Sequence, residues 1–229
     1  MKIAMINQKG GCGKTSTTAI LAKALADTGK TVLLIDADPQ AGLTSIFMGD
    51  VEIKESLFEI IIGKQIEPFK TLVNGIDIIP SDYRLDKVFL SVNQFTLTDG
   101  LKDIFPKYDY AIFDTPPTVQ GISQAALIIS DKVLIPTDIS IQSKNPTAYT
   151  IDTVKKTGKT PAVILIGYKE KSGTGFNAIV NNDFKNSFGE MIKAIIPKST
   201  MTAKLAGQHT KTTQAVRDKV FSEILKAVL

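Results

Sequence analysis

With 229 residues, 43% of them hydrophobic and 22% charged, the chain is long enough for one sizeable domain with a packed core. No apolar run approaches the ~20 residues of a membrane-spanning helix, no secretory-type apolar segment opens the chain, and a single cysteine, Cys12, excludes an internal disulfide or a four-cysteine metal site, so a soluble cytoplasmic protein is expected. The net charge of +4 is unevenly spread: residues 1–138 carry 13 Lys/Arg against 17 Asp/Glu, and residues 139–229 carry 14 against 6, which is either a solvated lysine-rich surface or a basic face for nucleic acid or acidic lipid.

Short β-rich runs alternate with longer helical stretches, the sequence sign of an α/β fold with a mostly parallel twisted sheet flanked by helices on both faces. KIAMI (2–6) reads as a buried strand. A helix is predicted over 14–29, with Ala19, Ala22, Leu25 and Ala26 at helical spacing and Gly29 as its stop. TVLLIDAD (31–38) is a second strand, 55–63 a helix, and GIDIIPS (75–81) a short strand. A helix over 97–105 precedes the strand YDYAIFDTPP (108–117). DKVLIPTD (131–138), PAVILIG (161–167) and KAIIP (193–197) continue the sheet. The tail from 213 to 229 puts Val216, Val220, Ile224 and Leu225 on one stripe and reads as a final amphipathic helix that packs on the core. No repeat, low-complexity segment or linker interrupts the chain, so residues 1–229 are read as one domain. The first strand starts at residue 2, which leaves no room for an N-terminal DNA-reading module.

Chemistry concentrates first in NQKGGCGKTS (7–16), between the first strand and the first helix. Gly10, Gly11 and Gly13 permit backbone conformations that let successive N–H groups cradle phosphate oxygens, and the helix beginning near Lys14 adds its positive dipole end. Lys14 is placed to reach β- and γ-phosphates and the Thr15 hydroxyl to ligate Mg²⁺, with Ser16 beside it. Gln8 stands where the phosphate-loop pattern normally opens with glycine, and Lys9 adds a second lysine five residues before Lys14. Cys12 fills a variable slot of the loop as a small space-filler. Two carboxylate sites then end predicted parallel strands, where open α/β sheets bind ligands. Asp114 reads as a metal-holding aspartate. Asp36 and Asp38 fall on one side of the backbone by strand alternation, and Asp38 is the better candidate to orient an attacking water.

Together KGGCGKTS, LLIDADPQAGLTS and YDYAIFDTPP resemble the deviant Walker A, switch I and switch II segments of ParA-type partition ATPases, relatives of the Min-system ATPases and the nitrogenase iron protein. The resemblance runs in good register from residue 2 to about 136 and more weakly through IIPKSTMTAKLAGQHTK. It implies a P-loop NTPase fold and slow, Mg²⁺-dependent hydrolysis of ATP to ADP and phosphate. Lys9 matches the family's extra lysine, which reaches across an ATP-sandwiched homodimer to the neighbour's phosphates. Lys14 matches the lysine serving its own subunit's nucleotide, and Asp38 the aspartate needed for hydrolysis. Thr15, Asp38 and Asp114 make up the implied magnesium set. Pro197 and Lys198 match the segment where the family packs adenine, although Gly167 and Tyr168 stand where many members place a polar adenine reader. Non-specific DNA binding by the ATP dimer is implied for basic residues late in the chain, with Lys193, Lys198, Lys204, Lys211, Arg217 and Lys219 as candidates.

The function implied is plasmid or chromosome partition over the nucleoid, with hydrolysis stimulated by a ParB-type centromere-binding adaptor and no stable membrane insertion. Positioning of a protein cargo and Min-like membrane association are the alternatives, together with an ATP-dependent metabolic enzyme on the same scaffold. Nitrogenase-type electron transfer is excluded, because an iron–sulfur cluster needs more thiolates than Cys12. His209 is read as an exposed loop residue without a role.

Overall fold

The first strand, β1 (Lys2–Met5), runs up the centre of the sheet and delivers the glycine-rich loop directly to α1 (Lys14–Asp27). The structure, a computed structural model, describes residues 1–49, 51–167, 176–196 and 214–229. Then follow β2 (Val32–Asp36), α2 (Gly42–Met48), α3 (Leu57–Ile61), β3 (Phe69–Lys70), β4 (Ile76–Ile79), α4 (Gln94–Leu101) and β5 (Tyr110–Asp114). The described remainder comprises α5 (Ile122–Ile129), β6 (Lys132–Asp138), α6 (Ile141–Lys156), β7 (Pro161–Ile166), α7 (Phe176–Phe188), β8 (Ile192–Ile196) and a last helix, here α8 (Gln214–Leu225).

Among the described residues, eight strands form one sheet in the order β3-β4-β2-β5-β1-β6-β7-β8, all parallel except the two-residue edge strand β3. Strand alternation divides the core between the two faces. Ile3 and Met5 of β1, Val32 and Leu34 of β2, and Tyr110 and Ile112 of β5 pack with α1, α2 and α8, whereas Ala4, Leu33, Ile35, Ala111 and Phe113 pack with α3, α4 and α5. A third cluster joins α6 and α7 to β6 and β7. The parallel sheet covered by helices on both faces is therefore present.

Local chemistry explains where the elements depart from the sequence reading. The predicted helix over 97–105 begins earlier, because Asn93 caps it by accepting from the Phe95 and Thr96 amides. A capping box of Ser56 and Glu59 starts α3. The strand read to 38 stops at Asp36, whose side chain turns to serve the loop that follows. In α6, Pro146 inside the helix hides it from a pattern reading, yet Ser143, Thr147, Thr150, Ile151 and Val154 are buried on one face. The last helix is a core helix as expected: Val220, Phe221 and Ile224 are buried against the α1 side of the sheet.

Candidate functional site

The phosphate loop owes its shape to Gly13, which forms the N-cap of α1 at φ 93 with no side-chain cap. The first-turn N–H groups of α1 are therefore left for an anion, as in other glycine-rich loops that open a helix. A Cβ on Gly13 would lie 2.5 Å from Cδ1 of Ile166. That flexible end can move aside, but the left-handed backbone remains strained for any other residue. Gly13→Ala is expected to destabilise the fold by about 1–3 kcal/mol and weaken nucleotide binding at least tenfold, as read by thermal denaturation and nucleotide titration. Upstream, Asn7 fastens the loop. Its Oδ1 accepts from the Lys9 amide at 3.0 Å, and its Nδ2 donates to the Pro136 carbonyl at 2.9 Å.

The two lysines occupy different surroundings. Lys14 is buried, and its Nζ donates to the Lys9 carbonyl at 3.2 Å, across the mouth of the loop. Lys9 turns its ammonium toward α6: Nζ is 3.0 Å from Oδ1 of Asp138, 3.1 Å from Oγ of Ser140 and 2.6 Å from Oγ of Ser143. Burial pushes the Asp138 carboxyl up, but hydrogen bonds from Ser143, Lys9 and Ser140 outweigh it and hold the acid below its ordinary range. The sequence reading did not find this cradle. Asp138 ends a parallel strand just as Asp114 does, so the rule that selected Asp114 applied equally to β6.

The carboxylates of β2 and β5 lie side by side, because Asp36 and Asp114 are register partners. Both are fully buried, and both are pushed above the usual carboxylate range, Asp36 chiefly by burial and Asp114 by burial and then by the Asp36 charge. Their hydrogen bonding separates their roles. Asp36 is saturated: Oδ2 accepts from the amide and hydroxyl of Thr44 at 2.8 and 2.7 Å, and Oδ1 from the Asp38 amide at 3.2 Å. Asp114 accepts from Oγ1 of Thr18 at 3.1 Å, while its Oδ2 is buried without a hydrogen-bond partner. An orphaned carboxylate oxygen close to Thr15 and Lys14 fits a divalent cation or its bound water. Among the described residues no cluster of three His, Cys, Asp or Glu side chains could hold a metal by itself. A cation here would rest on Thr15, Asp114 and phosphate oxygens, the ligand chemistry Mg²⁺ prefers.

Asp38 lies two residues beyond Asp36, past the end of β2. Once β2 has ended, alternation no longer governs it, and Asp38 is half-buried with Oδ1 accepting from the Gln40 amide at 3.0 Å. The loop ends on one strained residue. Ala41 has φ 52, the one positive φ of a non-glycine among the described residues, and it directly precedes α2.

The remaining sequence candidates fall into three groups. Cys12 is buried and its thiol is pushed up by burial, which fits a space-filler rather than a reactive thiolate. Gly10 and Gly11 are exposed on the loop, and Thr15 and Ser16 are half-buried in the first turn of α1. Of the basic residues, Lys193 and Lys219 are exposed, but Arg217 is engaged: its Nη2 is 2.8 Å from Oδ2 of Asp27, and its guanidinium stacks on Phe221. Tyr168, Pro197, Lys198, Lys204, His209 and Lys211 lie outside the described residues.

Comparison with known proteins agrees with this geometry. A family model described as an AAA domain (AAA_31) matches residues 1–165. The chromosome partitioning protein ParA of Caulobacter vibrioides is 29% identical over 221 residues, covering 88% of this chain and 82% of that protein. The sporulation initiation inhibitor protein Soj of Bacillus subtilis is 29% identical over 226 residues, covering 91% and 88%. Among solved structures, apo McdA from Cyanthece superposes with a TM-score of 0.84 at 25% identity, covering 100% of this chain and 99% of that one.

Proposed function

We propose, from the premise that this chain belongs to the AAA_31 family and is a ParA-type partition ATPase, that it cycles between a monomer and an ATP-sandwiched homodimer that binds DNA without sequence preference. The observation that carries this reading is the pair of lysines on one phosphate loop, Lys14 turned inward over the loop and Lys9 parked beside it on Asp138. A single nucleotide site is served by Lys14. Lys9 then has a second task, to leave Asp138 and place its charge on the phosphates held by a neighbouring copy.

Phosphoryl transfer to water spreads charge over the γ- and bridging oxygens, so catalysis is positioning plus electrostatic stabilisation. The glycine loop and α1 hold the phosphates, Lys14 neutralises them from within the chain, and Asp38 orients the attacking water. Magnesium held by Thr15 and Asp114 would supply further charge neutralisation at the phosphates. Because Lys9 comes from the partner, hydrolysis depends on dimerisation, and loss of the γ-phosphate removes the contact that stabilises the dimer.

Basic residues late in the chain, Lys193, Lys198, Lys204, Lys211 and Lys219, supply the DNA contact in this reading, doubled across the dimer, and Arg217 joins them only by leaving Asp27. Nucleoid association and stimulation by a ParB-type adaptor follow from the same reading. Among the described residues no helix is long and apolar enough to cross a membrane. The apolar stripe of α8 is buried in the core, which favours DNA over an anionic membrane as the binding surface.

The test is a DNA-binding titration with ADP, ATP and a slowly hydrolysed ATP analogue, repeated across salt and beside anionic liposomes. Binding is expected with ATP and the analogue and not with ADP. It should weaken linearly in log–log form with salt, and Lys219→Ala, which removes one contact from each subunit, should lower the slope by about two. Equal binding in all nucleotide states would refute the switch, and stronger ATP-dependent binding to liposomes than to DNA would favour the membrane reading.

A further inference from the structure

We infer that Ser81 is a positioning residue for Asp38, and that residues 81–90 form a brace joining the Asp38 loop to the loop that follows Asp114. The inference rests on the ATPase reading for its effect on turnover, while the brace itself is a matter of geometry.

Ser81 directly follows β4 and Pro80 and is buried. Its Oγ donates to the Asp38 carbonyl at 2.6 Å, and its amide donates to Oγ1 of Thr44 at 2.9 Å. Thr44 in turn donates from the same oxygen to Asp36, which accepts from the Asp38 amide. Asp38 is thus fixed at its amide through Asp36 and at its carbonyl by Ser81, while its carboxylate stays free of any side-chain donor among the hydrogen bonds described for it. This arrangement suits a group that must aim a water: the backbone is pinned, and the carboxylate meets only the Gln40 amide, at Oδ1.

The brace is anchored behind Ser81 by charge. Arg84 meets Glu59 through Nη1–Oε1 at 2.7 Å and Nη2–Oε2 at 3.0 Å, and meets Asp82 through Nε–Oδ1 at 2.9 Å and Nη2–Oδ2 at 2.7 Å. Burial works against the ionised form of Glu59, but hydrogen bonds from Ser56 and Arg84 outweigh it and hold the carboxyl below its ordinary range. Bidentate pairing of this kind fixes direction as well as distance.

At its far end the brace meets the Asp114 side of the site. The Ile122 amide donates to the Phe89 carbonyl at 2.7 Å, at the start of α5. Gly121, at φ 54, leaves no room between the two segments, since a Cβ there would fall 2.3 Å from the Phe89 oxygen and 2.6 Å from Cα of Leu90. One short segment therefore touches the loops after both β2 and β5. Displacement at one end is passed to the other through a charged clamp and a contact with no slack.

The test uses the full chain and two kinds of readout. Amide hydrogen exchange on nucleotide-free Ser81→Ala should be at least tenfold faster at Asp38, Gln40 and Ala41, and faster also at Ile122, with Ile78 in β4 unchanged. Gly121→Ala should loosen the same amides from the opposite end. In steady-state ATP hydrolysis, Ser81→Ala should lower kcat about tenfold with KM within about twofold. Ser81→Thr, which keeps the donor, should exceed its isostere Ser81→Val by about the same factor. Unchanged exchange at Asp38 in Ser81→Ala, or equal turnover by the Thr and Val variants, would overturn the positioning role. Exchange confined to one end would overturn the brace. Absence of ATP hydrolysis by the unmodified chain would refute the ATPase reading, and the exchange measurements would still decide the brace.

Discussion

Replacing Lys9 by alanine is expected to lower ATP turnover by about a thousandfold while leaving nucleotide binding within severalfold of the unmodified chain. The size follows from what a cation supplied in trans contributes to phosphoryl transfer, about 10³ or more in rate. Binding survives because the groups that hold phosphate are elsewhere: the glycine backbone, the start of α1 and Lys14, whose ammonium contacts the carbonyl of residue 9 and not its side chain. Loss of the half-buried Lys9–Asp138 pair costs the fold little, about 1 kcal/mol or less, since Ser140 and Ser143 remain beside the Asp138 carboxylate. Steady-state turnover, nucleotide titration and thermal denaturation check the three parts, and sedimentation with an ATP analogue fixes the oligomeric state. Full turnover by a strictly monomeric Lys9→Ala protein would remove the lysine from the neighbour's site.

Asp38→Ala should show the complementary behaviour, with hydrolysis reduced by about 10²–10³ and an ATP-bound dimer that persists on DNA. A group that positions or activates water contributes on that order. The loop should keep its shape, because Asp38 is fastened through its backbone: its amide to Asp36, its carbonyl to Ser81 and Ala41. Alanine removes only the cap on the Gln40 amide. Single-turnover hydrolysis and DNA retention with ATP measure the effect. Rapid turnover by this variant would take Asp38 out of its role, and failure to dimerise would mean that its carboxylate acts in assembly instead.

Much of the fold was legible because parallel strands buried on both faces are continuous apolar runs, and each one read from the sequence lies in the sheet. Helices with mixed composition were harder. The polar residues Ser143, Thr147 and Thr150 are buried in α6, and Pro146 interrupts its signal, so the helix that holds Lys9 left little trace in hydrophobic periodicity. At the site, the glycine spacing, Lys14 and Asp114 were legible, since a phosphate cradle and a strand-end carboxylate are local features of the chain. Asp36 and Asp38 were read together by alternation; β2 ends between them, Asp36 is buried and accepts from Thr44, and Asp38 is half-buried on the loop that follows.

The sequence by itself determined the order of strand, loop and helix, the glycines that let the backbone enclose phosphate, and the presence of a second lysine. These depend on residues within a few positions of one another. Only the tertiary structure decided where that lysine rests, which carboxylate retains an open oxygen, and what steadies Asp38. Lys9 meets Asp138 across 129 positions, Asp114 meets Thr18 across 96, and Ser81 meets Asp38 across 43. Hydrogen bonds over such separations exist because the sheet order brings the strand ends together, and no periodicity along the chain encodes which polar groups will then be neighbours.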